Sequence, residues 1–331
     1  MNKCIEKNCR EYSLSLSDFC WKHIEDKKAY RDKLGDYIKI SNSIKGFYLR
    51  HLQFVDAQWQ GIDAQEVDLA GANLQGADLT AANMKGADLT GTNLRLANLA
   101  SVDFEDAHML KCDLSFARMW HAVIKNANIS ESDLSEADLL GVVFSNVKFW
   151  HVKLTDAKFI TRYSFIGRTP IDETGALSAS EAYRSLKQYF VSNGRYDDSS
   201  WASFKEKDFQ RKYFFKERRI AYIPLLVMGL LCGYGEKPDR VIASSLSLMF
   251  LYSVLYGVLG VLQVPQELVH RGLTFWDYIY FSIITFTTVG FGDLTPKMIP
   301  LYQMLVGAEA FTGVFMMGLF VFTLARKYTA R

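Results

Sequence analysis

Residues 72–99 read ANLQGADLTAANMKGADLTGTNLRLANL, and a large apolar residue returns at every fifth position of this stretch. The same spacing continues without a change of phase from Leu49 to Phe159, and Ala64 is the one small residue in the series. Two positions before each large residue stands a small or apolar one, most often Ala. A period of five fits neither an α-helix nor a flat strand. It predicts a chain that turns a corner every five residues, with both apolar positions pointing inward.

This repeat resembles the pentapeptide-repeat family over residues 47–161. The resemblance implies a right-handed quadrilateral β-helix with four repeats in each turn. The series would then make about six turns, and at ~4.8 Å per turn the rod would be about 27 Å long. No proline lies between residues 47 and 161, which suits continuous hydrogen bonding between coils.

The charged residues divide the chain after Arg219. Of the 74 charged residues in the 331-residue chain, 61 precede Ile220 and 13 follow Arg219. The whole-chain averages, a net charge of +2 and a mean hydropathy of −0.01, hide this difference. They do exclude a disordered chain, a strongly basic nucleic-acid binder and a disulfide-rich secreted domain. A polar part followed by an apolar part predicts a soluble domain joined to a membrane domain.

Two apolar runs in the second part are long enough to cross a bilayer. Val241–Gln266 has no charged residue, and Met298–Ala325 has only Glu309. A buried helix of a soluble protein is the alternative for each run, but two such runs close together favour spans. Between them lie the shorter segment Phe275–Phe286 and then TTVGFGD at 287–293. A helix of about twelve residues cannot cross the membrane, but it can enter and return if its backbone lines a protein-walled cavity.

The segment 287–293 resembles the signature sequence of potassium channels, in the variant with Phe in place of Tyr. Residues 241–325 are similar to the two-span pore module of tetrameric potassium channels, an α-helical membrane domain with a re-entrant pore loop. The resemblance implies an outer helix at 241–263, a pore helix at 275–287, a filter at 288–293 and an inner helix at 299–325. It also implies a homotetramer that binds K+ through backbone carbonyls in place of the hydration shell. The filter positions are Thr288, Val289, Gly290, Phe291, Gly292 and Asp293.

One departure from the family concerns the partner of Asp293. Some members carry a pore-helix Glu that pairs with the Asp after the filter, and Ile284 stands at the matching position here. We therefore expect Asp293 to find another partner or water.

Polar and small residues of the inner helix are candidates for gating. A carboxylate at membrane depth indicates a functional site, so Glu309 either faces the ion path or bonds to the pore helix behind the filter, and we favour the second role. Gly307, Gly313 and Gly318 either form a hinge or permit close helix packing. The sequence leaves both alternatives open.

The distribution of positive charge predicts the orientation in the membrane. Basic residues flank the pore module on both outer sides and are scarce between the spans: Lys205, Lys207, Arg211, Lys212, Lys216, Arg218 and Arg219 precede it, Arg326, Lys327 and Arg331 follow it, and Arg271 and Lys297 lie between the spans. We expect a multi-pass protein of the plasma (inner) membrane with both termini in the cytoplasm and the filter outside.

Two further segments precede the pore module. Residues 178–216 have the pattern of a helical hairpin linker, with Asn193-Gly194 between its helices. Residues 220–235 form an uncharged run that would reach about 24 Å as a helix, which is short for a span. We interpret it as an interfacial or slide-type helix against membrane lipid. A third span is the alternative.

The first thirty residues contain Cys4, Cys9, Cys20 and His23. Because the start is polar and has no apolar stretch, we expect no signal peptide and a cytosolic setting, which disfavours disulfides. The set matches closed tetrahedral zinc ligation in ligand type and number, and residues 1–30 resemble small zinc-finger-like modules. We predict a structural Zn2+ site, with a redox-sensitive thiol cluster as the alternative. Cys112 and Cys232 are expected to be inert.

Together these features predict a potassium-selective channel with a cytoplasmic domain that regulates or docks, and no enzyme. The repeat segment carries 15 acidic and 9 basic residues. Some family members mimic DNA through an acidic surface, but we favour a spacer or docking role because this rod is tied to a pore, and we expect no nucleic-acid partner. The alternative function is a membrane-anchored scaffold that recruits a protein partner, with conduction secondary or non-selective. The gating stimulus stays open, including a cytosolic ligand or protein partner.

Overall fold

The computed structural model describes residues 3–6, 9, 11–166, 175–264 and 272–329, and the chain forms two compact units, residues 1–213 and 214–331. Some residues used in the sequence analysis lie outside the described residues: 1, 2, 7, 8 and 10 of the N-terminal module, 265–271 of the pore module, which include Arg271, and Arg331 of the orientation argument.

A β-helix with a 20-residue turn forms the centre of the first unit. Parallel bridges join residues 20 positions apart, from Ser43↔Asp63 at one end to Asp138↔Lys158 at the other. The strands are β1 (Val123–Lys125), β2 (Val143–Ser145) and β3 (Phe165–Ile166), which form one parallel sheet in that order. Four five-residue repeats therefore make one turn, and the predicted β-helix fold is confirmed.

The corners of the β-helix require a left-handed backbone. Every fifth residue from Gly46 to Asp156 has φ between 50° and 71°. Glycine adopts this conformation without a Cβ clash, but most corners carry other residues at a steric cost. The ladder between coils offsets that cost, because the corner N–H groups donate to the next coil, as Gly76 N–H does to the Arg95 carbonyl at 2.9 Å.

The large residue of each repeat points into the coil along most of the rod. These residues are buried from Leu49 to Leu154, except that Phe54 is half-buried. The prediction is wrong at Phe159, which is 53% exposed, while Ile160 is fully buried in its place. The register Phe144↔Phe165 spans 21 positions instead of 20, so the last coil contains one extra residue and the inward position moves by one.

Helices cover both ends of the rod. Helix α1 (Lys27–Ser41), which the sequence analysis did not predict, buries Tyr30, Leu34 and Ile38 in the same apolar core as the first coil. At the other end α2 (Ala176–Ser192) places Tyr183 and Phe190 in that core, and α3 (Tyr196–Lys216) places Phe209 there. Covering the ends protects the apolar interior and the outermost strand edges from water and from other chains.

Polar contacts fix the α2–α3 hairpin to the last coil. The Tyr189 hydroxyl donates to the Ala157 carbonyl at 2.8 Å, and the Arg195 guanidinium donates to the Ile160 carbonyl at 2.9 Å. These bonds satisfy backbone oxygens that have no further coil to accept from.

The described part of the second unit contains four α-helices after α3: α4 (Tyr222–Cys232), α5 (Pro238–Leu259), α6 (Phe275–Phe286) and α7 (Pro300–Thr329). Helices α5 and α7 are long and apolar enough to cross a membrane, and α4 is shorter, at about 1.5 Å of rise per residue. Relative to the predicted bounds, α5 ends four residues before position 263 and α7 continues four residues past 325.

Helix α4 is tied to the start of α5. The Arg240 guanidinium donates to the Gly229 carbonyl at 2.8 Å, and the Ser244 hydroxyl donates to the Leu231 carbonyl at 3.1 Å. Four large apolar side chains in and just before α4 are exposed in the single chain: Ile220 (80%), Ile223 (47%), Val227 (45%) and Leu230 (66%). An apolar face of this size on a short helix is typical of a lipid-contacting segment.

Candidate functional site

The candidate pore segment begins with a helix that is fixed at both ends. At the N-terminus of α6 the Asp277 carboxylate accepts hydrogen bonds from the Thr274 N–H at 2.7 Å and the Thr274 hydroxyl at 2.8 Å. At its C-terminus the Ile284 carbonyl accepts from the N–H groups of Val289 at 2.9 Å and Gly290 at 3.2 Å. The last turn of α6 therefore holds the first residues of the predicted filter directly.

The predicted filter residues alternate in backbone conformation. Thr288, Gly290 and Gly292 have φ of 57°, 52° and 80°, and the residues between them are not in the left-handed region. Such alternation turns successive carbonyls toward one side, which a chain of uniform conformation cannot do. Val289 and Phe291 are 54% and 70% exposed in the single chain, so this loop has no cover within one subunit.

Asp293 has a partner on the pore helix that the sequence analysis did not identify. The Tyr280 hydroxyl lies close enough to the Asp293 carboxylate to interact with it. Tyr280 stands one helical turn before Ile284 and so lies on the same face of α6. That spacing is the signal that would have found it.

Glu309 lies where three helices meet. It is fully buried, one carboxyl oxygen is hydrogen-bonded to the Tyr256 hydroxyl of α5, and the other is hydrogen-bonded to the Ser282 hydroxyl of α6. Of the two roles that the sequence left open, these contacts are those of a residue that bonds to the pore helix behind the filter.

The three glycines of α7 differ in their surroundings. A Cβ on Gly313 would lie 1.8 Å from the Phe286 carbonyl oxygen, whereas nothing lies within 4 Å of a Cβ on Gly307 or Gly318 in the single chain. Gly313 therefore permits close approach of the inner helix to the end of the pore helix. An open cleft of about 410 Å³ adjoins this contact and is lined by Thr287, Thr288 and the Gly313–Val321 part of α7.

An ion pair secures the last turns of α7 to the segment before α5. The Arg326 guanidinium lies 2.5 Å from the Glu236 carboxylate, whose side chain is 8% exposed. Gly235, with φ of 84°, brings this segment close, since a Cβ there would lie 3.2 Å from both Arg326 and Phe322. The sequence analysis did not single out either charged residue as a pair.

The four N-terminal metal-ligand candidates converge on one point. Their ligand atoms all lie within 4.8 Å of one another. The Cys4 Sγ and Cys20 Sγ each lie 3.4 Å from the His23 Nδ1, and the Cys9 and Cys20 sulfurs are 3.8 Å apart. Tetrahedral zinc with Zn–S of about 2.3 Å and Zn–N of about 2.0 Å has ligand-to-ligand edges of about 3.5–3.8 Å. The four residues therefore fit a tetrahedral metal ion in donor type and spacing.

The electrostatics of this cluster favour a thiolate at Cys4. Burial raises the pKa of the Cys4 thiol, but hydrogen bonds from the backbone of Cys20 and Glu6 and from the His23 ring outweigh burial and bring the pKa to about 6. At Cys9 a backbone hydrogen bond from Glu11 lowers the pKa, and burial and the neighbouring thiols raise it by more. A bound cation would stabilise these cysteines as thiolates, because the thiolate is the form that ligates metals.

The two other cysteines lie in apolar surroundings. Cys112 is buried in the coil, where burial raises its pKa to about 12. Cys232 is buried at the end of α4. Both lack the exposure that a reactive thiol requires.

Two apolar helices that can span a membrane, with a short helix and a left-handed loop between them, define a membrane protein with a re-entrant pore segment. Residues 244–330 match the family model described as an ion channel. Residues 57–95, 92–128 and 122–159 match the family model of pentapeptide repeats, in eight copies. The chain thus joins an ion-channel pore module to a pentapeptide-repeat β-helix. No curated protein matches the chain.

Solved structures are similar to the chain over part of its length. A pentapeptide repeat protein of the Arabidopsis thaliana thylakoid lumen is 30% identical, with 34% of this chain and 71% of that chain covered and a TM-score of 0.28. The pentapeptide repeat protein Rfr23 of the cyanobacterium Cyanothece 51142 is 14% identical, with 41% and 98% covered and a TM-score of 0.21. HetL, a pentapeptide repeat protein of Nostoc sp. strain PCC 7120, is 20% identical, with 35% and 71% covered and a TM-score of 0.16.

Proposed function

We propose that this chain is the subunit of a potassium-selective channel that conducts K+ passively through a homotetrameric filter. The observation that carries the proposal is the alternating left-handed backbone at 288, 290 and 292, directly after a helix too short to cross the membrane. Alternation aims successive carbonyls at one axis, and rings of such carbonyls replace the hydration shell of K+.

The exposure of the predicted filter supports the proposed four-fold assembly. Val289 and Phe291 are apolar, and each exposes more than half of its surface in the single chain. Copies of the chain around one axis would cover these side chains and complete the ring of carbonyls. The cleft beside Thr288 and Gly313 would then open onto the inner mouth of the filter.

The membrane orientation rests on the charges at the helix ends. Arg326 and Lys327 stand in the last turns of α7, and Lys216, Arg218 and Arg219 precede α4. Basic residues favour the cytoplasmic side, so we place both termini in the cytoplasm, with α4 against the inner leaflet of the plasma (inner) membrane. The β-helix serves this channel as a cytoplasmic spacer or docking surface.

The N-terminal cluster holds a structural Zn2+ in this proposal. Cys4, Cys9, Cys20 and His23 would be its four ligands, and a closed set of four leaves no position for a substrate. The ion would contribute folding energy to residues that have few apolar contacts of their own.

Ion flux tests the channel. Purified protein in liposomes should carry K+ down its gradient and exclude Na+, and Gly290→Ala should abolish the flux because a Cβ disfavours φ of 52°. Gly35→Ala, at an open position of α1, is the control and should conduct. Absence of K+ flux in the unmodified protein, or full flux in Gly290→Ala, would show that the proposal is wrong.

Metal analysis tests the zinc site separately. We expect one zinc ion per chain, lost in Cys20→Ser and retained in Cys112→Ser, whose buried thiol lies in the coil. Equal zinc content in both variants would contradict the assignment.

A further inference from the structure

The hydrogen bonds around Glu309 require more hydrogens than the neighbouring hydroxyl groups supply. There are three contacts: Tyr256 hydroxyl with Glu309, Ser282 hydroxyl with Glu309, and Ser282 hydroxyl with the Met249 carbonyl at 2.9 Å. Each hydroxyl carries one hydrogen, and a backbone carbonyl only accepts. Two hydroxyl hydrogens can form separate hydrogen bonds at only two of these three oxygen–oxygen contacts, and a hydrogen on the carboxyl group would fill the third.

The surroundings of Glu309 give the same answer independently. Glu309 is fully buried, and a buried carboxylate needs a cation or several donors to remain ionised. Lys297 is the only cation that the structure describes between Val241 and Ala325, and it lies exposed in the loop before α7. The other charged groups described in this stretch, Asp277 and Asp293, are carboxylates and disfavour a third negative charge.

We propose that Glu309 carries a proton and, as a neutral carboxylic acid, clamps the pore helix between the outer and inner helices. The carboxyl O–H donates to the Ser282 oxygen, the Ser282 hydroxyl donates to the Met249 carbonyl, and the Tyr256 hydroxyl donates to the second carboxyl oxygen. Every polar group in the cluster is then satisfied, which a buried network needs in order to be stabilising.

The hydrogen bonds of Glu309 are connected to the predicted filter through the last turn of α6. Ser282 stands two residues before Ile284, and the Ile284 carbonyl binds the N–H groups of Val289 and Gly290. Glu309 is therefore a positioning residue for the filter and touches no ion. This role rests on the proposed function, since a filter of fixed width discriminates K+ from Na+ only in a conducting channel.

Substitutions at Glu309 distinguish the neutral acid from a carboxylate. Glu309→Gln keeps a donor for Ser282 and an acceptor for Tyr256 in a neutral group, so K+ over Na+ selectivity should stay within about twofold of the unmodified protein. Glu309→Ala removes both bonds, and Ser282→Ala removes the link to the pore helix. Each should lower the selectivity ratio by at least about tenfold, since one lost buried hydrogen bond corresponds to about that factor and each variant loses two. Ser247→Ala is the control, because that exposed hydroxyl bonds only within its own helix.

Infrared spectroscopy reads the proton directly. The unmodified protein at neutral pH should show the C=O stretching band of a protonated carboxylic acid, and the band should be lost in Glu309→Gln. Absence of that band, or a Glu309→Gln variant as impaired as Glu309→Ala, would overturn the proposal. If the unmodified protein carries no K+, the channel assignment is wrong. The infrared band and the melting temperatures of the variants would then still show whether Glu309 is a neutral acid that holds the pore helix. If Glu309→Ala does not fold, Ser282→Ala supplies the comparison.

Discussion

Replacement of Gly313 by Ala tests how closely the inner helix approaches the pore helix. The added Cβ would lie 1.8 Å from the Phe286 carbonyl oxygen and 2.7 Å from its carbonyl carbon. Ordinary contact between such atoms lies at about 3.5 Å, so the two helices would have to separate by about 1.5 Å. Backbone atoms must move here, since no flexible side chain is in the way.

The energetic balance of this substitution is unfavourable. Overpacking typically costs about 1–3 kcal/mol, and a rigid backbone contact places this site toward the upper end. Alanine regains about 1 kcal/mol of helix propensity over glycine. We expect a net loss of about 1–2 kcal/mol and a displacement of Phe286, the residue next to the filter loop.

Thermal unfolding and K+ flux should be measured on Gly313→Ala beside Gly307→Ala and Gly318→Ala. The two controls add a Cβ where nothing lies within 4 Å in the single chain, so they should be neutral or slightly stabilised. Gly313→Ala should melt at a lower temperature and lose flux or selectivity. A Gly313→Ala protein that melts and conducts like both controls would refute the close-packing argument and return Gly313 to the candidates for a hinge.

Three further substitutions test the first and second units. Hydrogen bonds from Lys125, and to a lesser extent from Lys85, lower the pKa of Glu105 to about 2 from its usual 4.5. The ionised Glu105 therefore stabilises the fold fully above pH 4.5, and this stabilisation is lost as the pH falls through 2. Glu105→Gln should flatten the fall in melting temperature between these pH values, and an unchanged pH profile would contradict this. Tyr189→Phe should lower the free energy of unfolding by about 1 kcal/mol, because it removes the hydroxyl that bonds to the Ala157 carbonyl. Tyr163→Phe, at an exposed ring, should change the free energy of unfolding little. Equal effects of the two substitutions would show that the Tyr189 bond does not fix the α2–α3 hairpin to the last coil. Arg326→Met should destabilise the protein by about 3 kcal/mol because it removes the guanidinium from its ion pair with the buried Glu236 carboxylate. Glu236→Gln in the same protein should recover part of the loss, and no recovery would mean that the pair is not coupled.

The β-helix was predictable because its five-residue period is visible in the sequence. Each coil consumes a fixed number of residues, so the recurrence of large apolar residues from Leu49 onward fixes both the turn length and the inward positions. The period cannot reveal a single inserted residue at its end, which is why the inward position was misassigned at Phe159 and belongs to Ile160. It also contains no information on α1, whose buried stripe is stabilised by the end of the rod that it covers.

The sequence motif of the pore segment was predictable, but the side-chain contacts that hold the pore helix in place were not. The spacing of TTVGFGD between two apolar runs indicated the loop and the helices around it. The partners of Glu309 lie 53 and 27 positions away in the chain, and they meet only because α5, α6 and α7 cross at one point. Such a crossing is set by tertiary packing, for which a single sequence gives no periodic signal.

The Glu309–Ser282 hydrogen bond and the close approach of Gly313 to Phe286 form one continuous contact between α6 and α7. Glu309 and Gly313 stand four residues apart on α7, and their contacts Ser282 and Phe286 stand four residues apart on α6, so matching turns of the two helices face each other. The first contact is a hydrogen bond and fixes the position along the helices; the second is a backbone approach and fixes their separation. A helix is stiff over a single turn, so a displacement at one contact is transmitted to the other, and through the Ile284 carbonyl to Val289 and Gly290. Residues 288–292 are exposed in the single chain, so this contact with α7 is a support that the chain itself gives to the predicted filter. In the proposed tetramer it would set the position of these residues before the neighbouring subunits complete the ring.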